Sequence, residues 1–179
     1  MSRITCRRLR TAARLVTMTA ALGMLLSSTA SAGSPVVHRV SAGGPDICVG
    51  VGEKPGCDAN LSLVALQRAD GTVSGQISDQ FAGRIGGYHA VITCLSFSRD
   101  GHEAWVGAVV THGNWAGMDI TGWQFVLRLR DNGTSANDAP DQISLPATIS
   151  PDACTAHPQP PEYPNLVLFN APQGQVKIK

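Results

Sequence analysis

Beyond residue 33 the sequence has no segment with a 3.6-residue apolar period over three turns. That absence excludes a domain built on amphipathic helices. No long apolar run follows the one at Leu15–Leu26, so no later helix could cover the roughly 20 residues that a bilayer requires. After residue 33 clusters of Lys and Arg are also missing, which argues against nucleic acid or an anionic membrane as partner. The cysteines do not form the close CxxC pairs of zinc sites. There is no HExxH, no GxSxG, and the glycine run Gly83–Gly87 does not lead from a strand into a helix. Zincin-type proteolysis, hydrolase-type serine nucleophiles and phosphate-cradling loops therefore lack their motifs.

What is present begins with an export signal. Arg3, Arg7, Arg8, Arg10 and Arg14 form a basic stretch, Leu15–Leu26 a short apolar one, and Ala30-Ser31-Ala32 a small-residue cleavage site before Gly33. Residues 1–32 thus read as a signal peptide. Arg7-Arg8 leaves a twin-arginine route open, although general secretion fits the following residues better. Cys48, the first cysteine after the cleavage site, lies 15 residues beyond Gly33, too far for lipid anchoring there. The expected product is secreted and extracellular, with no membrane anchor after signal cleavage. Five of the 14 Lys and Arg and none of the 13 acids precede residue 33, leaving nine basic against 13 acidic residues, net −4. The slight basicity of the whole chain belongs to its leader.

Cysteine usage agrees with export. Cys48, Cys57, Cys94 and Cys154 remain after cleavage, an even number in an oxidising compartment. Three pairings are possible, and Cys48–Cys57 with Cys94–Cys154 is preferred. The first closes a Pro/Gly-rich loop; the second ties a central strand to a late loop. Zinc on four thiolates is the rival reading, disfavoured by the spacing.

Alternation of period two marks the strands. Val36–Val40 reads as an edge strand at most. Leu61–Gln67 and Thr72–Ser78 form a hairpin across Asp70-Gly71. The organising stretch runs from Tyr88 to Gly133: Tyr88–Ser98, a turn at Arg99-Asp100-Gly101, Glu103–Thr111, a loop His112–Asp119, and Ile120–Arg130. In the last of these, Trp123, Phe125, Leu127 and Leu129 share the face expected to be buried. In the first, Val91, Leu95 and Phe97 are assigned to one face and Ile92, Cys94 and Ser96 to the other. Gln142–Ile149 holds a short strand broken by Pro146, hence an edge. Cys154–Pro164, with four prolines, is an extended connector. Leu166–Phe169 and Gln175–Lys179 are expected to pair as a C-terminal hairpin. The expected fold is all-β: an antiparallel meander closing into a small disulfide-stapled barrel or sandwich of about 7–9 strands. The division is 1–32 signal peptide, 33–58 extended N-terminal segment with the Cys48/Cys57 loop, and 59–179 β-domain.

Several short blocks carry a family resemblance: Ala90–Phe97 (AVITCLSF), Ala104–Gly107 (AWVG), Phe125–Gly133 (FVLRLRDNG), Asp141–Ser144 (DQIS) and Gly174–Ile178 (GQVKI). Over about residues 60 to 179 the chain resembles a group of uncharacterised secreted β-domains of high-GC Gram-positive bacteria. The resemblance implies a signal peptide, an all-β fold and a strand-to-loop disulfide, and implies no activity. The pair Cys48/Cys57 and the proline-rich connector depart from that group's pattern.

Candidate sites follow from residue type. Asp131, Asn132, Asp138 and Asp141 crowd oxygen ligands into one loop, as an extracellular calcium site would, or they are turn residues bonding their own backbone. His89, His102 and His112 flank the first central hairpin and form a zinc site only if they converge. Glu103 with Asp119 is a conceivable glycosidase pair. Trp115 sits between Gly113 and Gly117 with Asn114 and Asp119 as polar neighbours, either folded down as a lid or presented to a partner. The function expected is a non-enzymatic secreted β-domain with a binding or structural role at the cell exterior. Its partner would be an unknown protein, a glycan or a small ligand. A small extracellular hydrolase or metal-dependent enzyme is the alternative.

Overall fold

The computed structural model describes residues 33–45, 60–81, 85–135, 137–171 and 175–179. The chain divides into a unit of residues 1–32, outside the described residues, and a unit of residues 33–179. The signal peptide and the Cys48–Cys57 pairing therefore fall on segments that are not described. Residues 33–179 form one ten-stranded antiparallel sheet curled into a half-barrel. Its strands are β1 (Val36–Pro45), β2 (Asn60–Arg68), β3 (Val73–Gln80), β4 (Gly86–Phe97), β5 (Glu103–Trp115), β6 (Met118–Asp119), β7 (Gln124–Arg130), β8 (Gln142–Ser144), β9 (Leu168–Asn170) and β10 (Gln175–Ile178). The order is β10-β1-β2-β3-β4-β5-β7-β8-β9, with β6 on the end of β5.

Turn chemistry sets the meander. At Asp70-Gly71 the carboxylate accepts hydrogen bonds from the Thr72 amide and hydroxyl, at 3.0 and 2.7 Å, and Gly71 supplies a φ of +83°. The Asp100-Gly101 turn repeats the device, with Gly101 at +75°. Inward positions then stack into the core. Val40, Leu63, Ile77, Val106, Leu129 and Val176 lose essentially all contact with water, each such burial contributing about 1.5–3 kcal/mol before entropy is counted. Phe81, Tyr88 and Phe125 join them in a chain of rings 5.7 and 5.3 Å apart.

Three strand assignments need correction. Val36–Pro45 is not an edge: β1 lies between β10 and β2 and pairs with both, so the boundary at residue 58 does not separate it from the sheet. Gln142–Ser144 is likewise flanked on both sides, by β7 and β9. Pro146 lies just past this strand, where its missing N–H costs nothing. The C-terminal segments do not form a hairpin. β9 pairs with β8 and β10 with β1, so they occupy opposite ends of the strand order. A hairpin is the cheapest local solution, but curling the sheet brings its first edge within reach of the last ten residues.

The face assignments in β4 also change. The ladder to β5 slips between Ile92 and Cys94. Tyr88, Ala90 and Ile92 point inward before the slip, Leu95 and Phe97 after it. A bulge shifts the alternation by one residue, which turns Val91 outward and leaves Cys94 on the convex face. There the Cys94–Cys154 disulfide, expected from the sequence, fixes the short 3-10 helix Pro151–Ala156 to the sheet. Trp105 completes this outer layer. Its indole N–H donates to the Pro158 carbonyl at 2.8 Å, its ring stacks on His157 at 4.2 Å, and the Arg128 guanidinium lies 5.6 Å over it. Arg128 in turn bonds Glu103 through two nitrogens, at 2.9 and 2.7 Å.

Gly107 makes that docking possible. A Cβ there would collide with the Pro151 carbonyl and approach the Cys94 Cβ to 2.9 Å. Gly107→Ala is expected to cost about 2 kcal/mol or more, as overpacking at rigid backbone does. Urea unfolding would read the loss, and an unchanged midpoint would mean that the 3-10 helix does not seat on β5.

Candidate functional site

At the far end of β5 the chain builds a projecting tip. Ala116 and Gly117, at φ +51° and +90°, form a two-residue turn that returns β6 along β5, pairing Trp115 with Met118 and Asn114 with Asp119. The Asn114 Oδ1 accepts the Gly117 amide at 3.0 Å, and Asp119 Oδ1 accepts the Thr121 amide at 2.9 Å. On the neighbouring strand Gly86 faces Trp115, and a Cβ there would run into the Asn114 backbone. The Ala116 amide donates to the Ile85 carbonyl at 2.7 Å. The tip is therefore held by backbone and side-chain bonds along its length.

What it displays is apolar. Trp115, Met118 and Ile85 are 47–49% exposed and Trp123 is 37% exposed. The two indoles meet edge to face, centroids 6.1 Å apart and planes at 88°. Large apolar side chains gathered in the open mark contact surfaces more often than single ones do. Hydrogen bonds from the Thr121 side chain and backbone hold the fully exposed Asp119 carboxylate below the usual aspartate range. An ionised acceptor thus stands on the same tip at any pH near neutrality, on the face of the β5–β6 pair that Asn114 shares and not on that of Trp115 and Met118. Across β4 and β5, His89 and His112 stack at 4.4 Å on the same end of the sheet.

Trp115, Asn114 and Asp119 all lie on this tip, Asn114 paired with Asp119 and Trp115 with Met118, and Trp115 is presented rather than folded down. Trp123 was expected in the core. The bonds Gly122 N–H to Val110 and Trp123 N–H to Ile120 make residues 120–123 a turn, so the strand starts at Gln124 and Trp123 stays at its rim. Asp119 followed by Thr121-Gly122 is the turn signal that foretells this. Met118 and Ile85 had no such signal.

The loop acids behave otherwise. Asp141, buried, accepts the Asn132 amide through one oxygen at 2.9 Å and the Val176 amide through the other at 2.7 Å. Asp131 accepts the Gly133 and Ile178 amides, at 2.9 and 3.0 Å. Asp138 accepts the Ser135 amide at 2.7 Å, and the Asn132 side chain donates to the Pro140 carbonyl at 2.6 Å. Val176 and Ile178 are the β10 residues whose amides face away from β1. Two carboxylates therefore stand in for a neighbouring strand along that edge. Among the described residues no group of three or more His, Cys, Asp or Glu is arranged to hold a metal ion. His102 lies at the opposite end of β5, its Nδ1 3.3 Å from the Asp131 carbonyl. Glu103 and Asp119 are separated by the length of β5, on the order of 35 Å at about 3.3 Å per residue. A glycosidase pair needs roughly 5–9.5 Å.

Comparisons with protein-family models, with curated proteins and with solved structures give no match to this chain. What the fold and the tip define is an all-β half-barrel with a rigid aromatic projection.

Proposed function

We propose that this is an exported binding domain whose contact surface is the aromatic tip, and that its partner at the cell exterior is a glycan. The exposed, orthogonal Trp115–Trp123 pair carries the reading, with the ionised Asp119 at the edge of the same tip. Indole faces accept the apolar C–H face of a sugar ring, while a carboxylate accepts its hydroxyl protons. The exposed Asn114 adds an amide NH2 as donor, its Oδ1 being spent on Gly117. Because the tip is tied to β4 and β5, little conformational freedom is lost on binding. The leader at residues 1–32, the acidic balance after it and the Cys94–Cys154 bond support an extracellular setting.

Calorimetric titration with a panel of neutral oligosaccharides tests the proposal. At least one class is expected to bind, with Trp115→Ala and Trp123→Ala each weakening it about tenfold or more, in line with 1–3 kcal/mol for loss of an aromatic anchor. Both variants should unfold within about 0.5 kcal/mol of the parent, since exposed side chains contribute little to stability. Binding that ignores both substitutions, or a panel with no ligand at all, would remove the glycan reading.

A further inference from the structure

A second surface lies on β1 and β10, with β2, β3 and β4 between it and β5 in the sheet order, on the convex face. Arg39, Ser41, Lys177 and Lys179 line a hollow of about 140 Å³ there. The register puts them together: Ser41 stands opposite Lys177, and Arg39 and Lys179 exchange backbone hydrogen bonds of 2.8 and 2.9 Å. All three cationic side chains are exposed.

Within these strands negative charge is scarce. β10, β1, β2 and β3 contain a single acidic residue, the buried Asp79, while the Asp131 and Asp141 carboxylates lie along the far edge of β10 with their oxygens bonded to backbone amides. The ion pairs among the described residues join Glu103 to Arg128 and Arg130 and involve none of the three. Like charges facing each other across a ladder destabilise a sheet. Here they are concentrated on one face of a chain that is net acidic after its leader. A multivalent anion seated in the hollow would turn that mutual repulsion into attraction, with the Arg39 guanidinium offering paired N–H donors and the lysines point charges.

We infer that this face is an oxyanion site for a small solute or oligosaccharide bearing several phosphate or sulfate groups. The site is independent of the aromatic tip and stands or falls separately. Titration calorimetry with inorganic tripolyphosphate and with sucrose octasulfate, in buffer of low ionic strength, tests it. At least one probe is expected to bind, and its affinity should fall as salt rises toward 0.5 M. Lys177→Gln/Lys179→Gln should weaken binding at least about tenfold, as loss of charge-assisted bonds does. Arg39→Gln, on a different strand, should do the same, and Trp115→Ala should leave the affinity unchanged. The substituted side chains are exposed, so unfolding midpoints should stay with the parent. No binding of either probe, equal binding by the charge-neutralised variants, or binding confined to phosphatidylglycerol vesicles would each overturn the assignment.

Discussion

Asp141→Ala is expected to destabilise the domain by about 3 kcal/mol, since two amides facing a buried carboxylate lose their acceptor together. Asp141 is 7% exposed and its two oxygens accept the Asn132 and Val176 amides separately. A drop of that size corresponds to roughly 10 °C in the unfolding midpoint for a domain of this length. Asp141→Asn keeps one carbonyl acceptor and presents its NH2 to the second amide, so its loss should be smaller but not absent. Amide exchange separates this mechanism from a general loss of packing. In the alanine variant the Val176 amide should exchange much faster, while those of β4 and β5 stay protected. If both variants unfold with the parent, the carboxylates do not secure the β10 edge.

Breaking the Cys94–Cys154 bond is expected to cost still more. Its closure spans 60 residues, and the chain-entropy account assigns such a loop about 4 kcal/mol. The structure adds a local consequence. Ser96 donates its hydroxyl to the Cys154 carbonyl at 2.6 Å, and Trp105 depends on Pro158 and His157 for its outer contacts. A Cys94→Ala/Cys154→Ala variant should thus lose stability and also loosen the Trp105 environment, read as a shift of its fluorescence toward that of a solvated indole. Loss of stability with an unchanged Trp105 signal would mean that the 3-10 helix stays docked without the covalent link.

How much of this was legible in the residues depends on how locally each feature is encoded. β7 was, from Phe125 to Leu129, because Phe125, Leu127 and Leu129 enter the main core at every second position, although Val126 is buried on the other face. The turns at Gly71 and Gly101 were, because positive φ favours glycine. The disulfide was, because an even number of cysteines without close CxxC spacing, behind an expected export signal, leaves pairing as the preferred use. The bulge after Ile92 was not: with apolar residues on both faces, Val91 and Ile92 look interchangeable until the partner strand fixes the register. The separation of β9 from β10 was equally hidden, since pairing with β1 depends on how far the sheet curls. Among site residues, Trp115 announced itself by sitting between glycines. Trp123 looked like a core residue because it continues the parity of Phe125, Leu127 and Leu129 past the true end of the strand. The cationic hollow shows the same limit in another form. Arg39 and Lys177 are distant in sequence, so a scan for basic clusters passes over them, and only the β1–β10 ladder unites them.

Asp131 and Asp141 carry a related lesson. Four oxygen-bearing residues in one loop suggest a cation, yet the oxygens of Asp131 and Asp141 accept amides in the turn and along β10. Backbone edges need acceptors as surely as metals need ligands, and composition alone does not separate the two demands.

Two indoles, Trp115 and Trp123, stand at the surface, and that of Trp105 is buried. Fluorine NMR of protein labelled with 5-fluorotryptophan measures this directly, because Trp105, Trp115 and Trp123 are the three tryptophans of the chain. A soluble paramagnetic agent is predicted to broaden the Trp115 and Trp123 resonances, assigned by Trp→Phe substitution, and to spare Trp105. Equal protection of all three, or broadening of Trp105 while Trp115 stays sharp, would contradict the arrangement on which the binding surface rests.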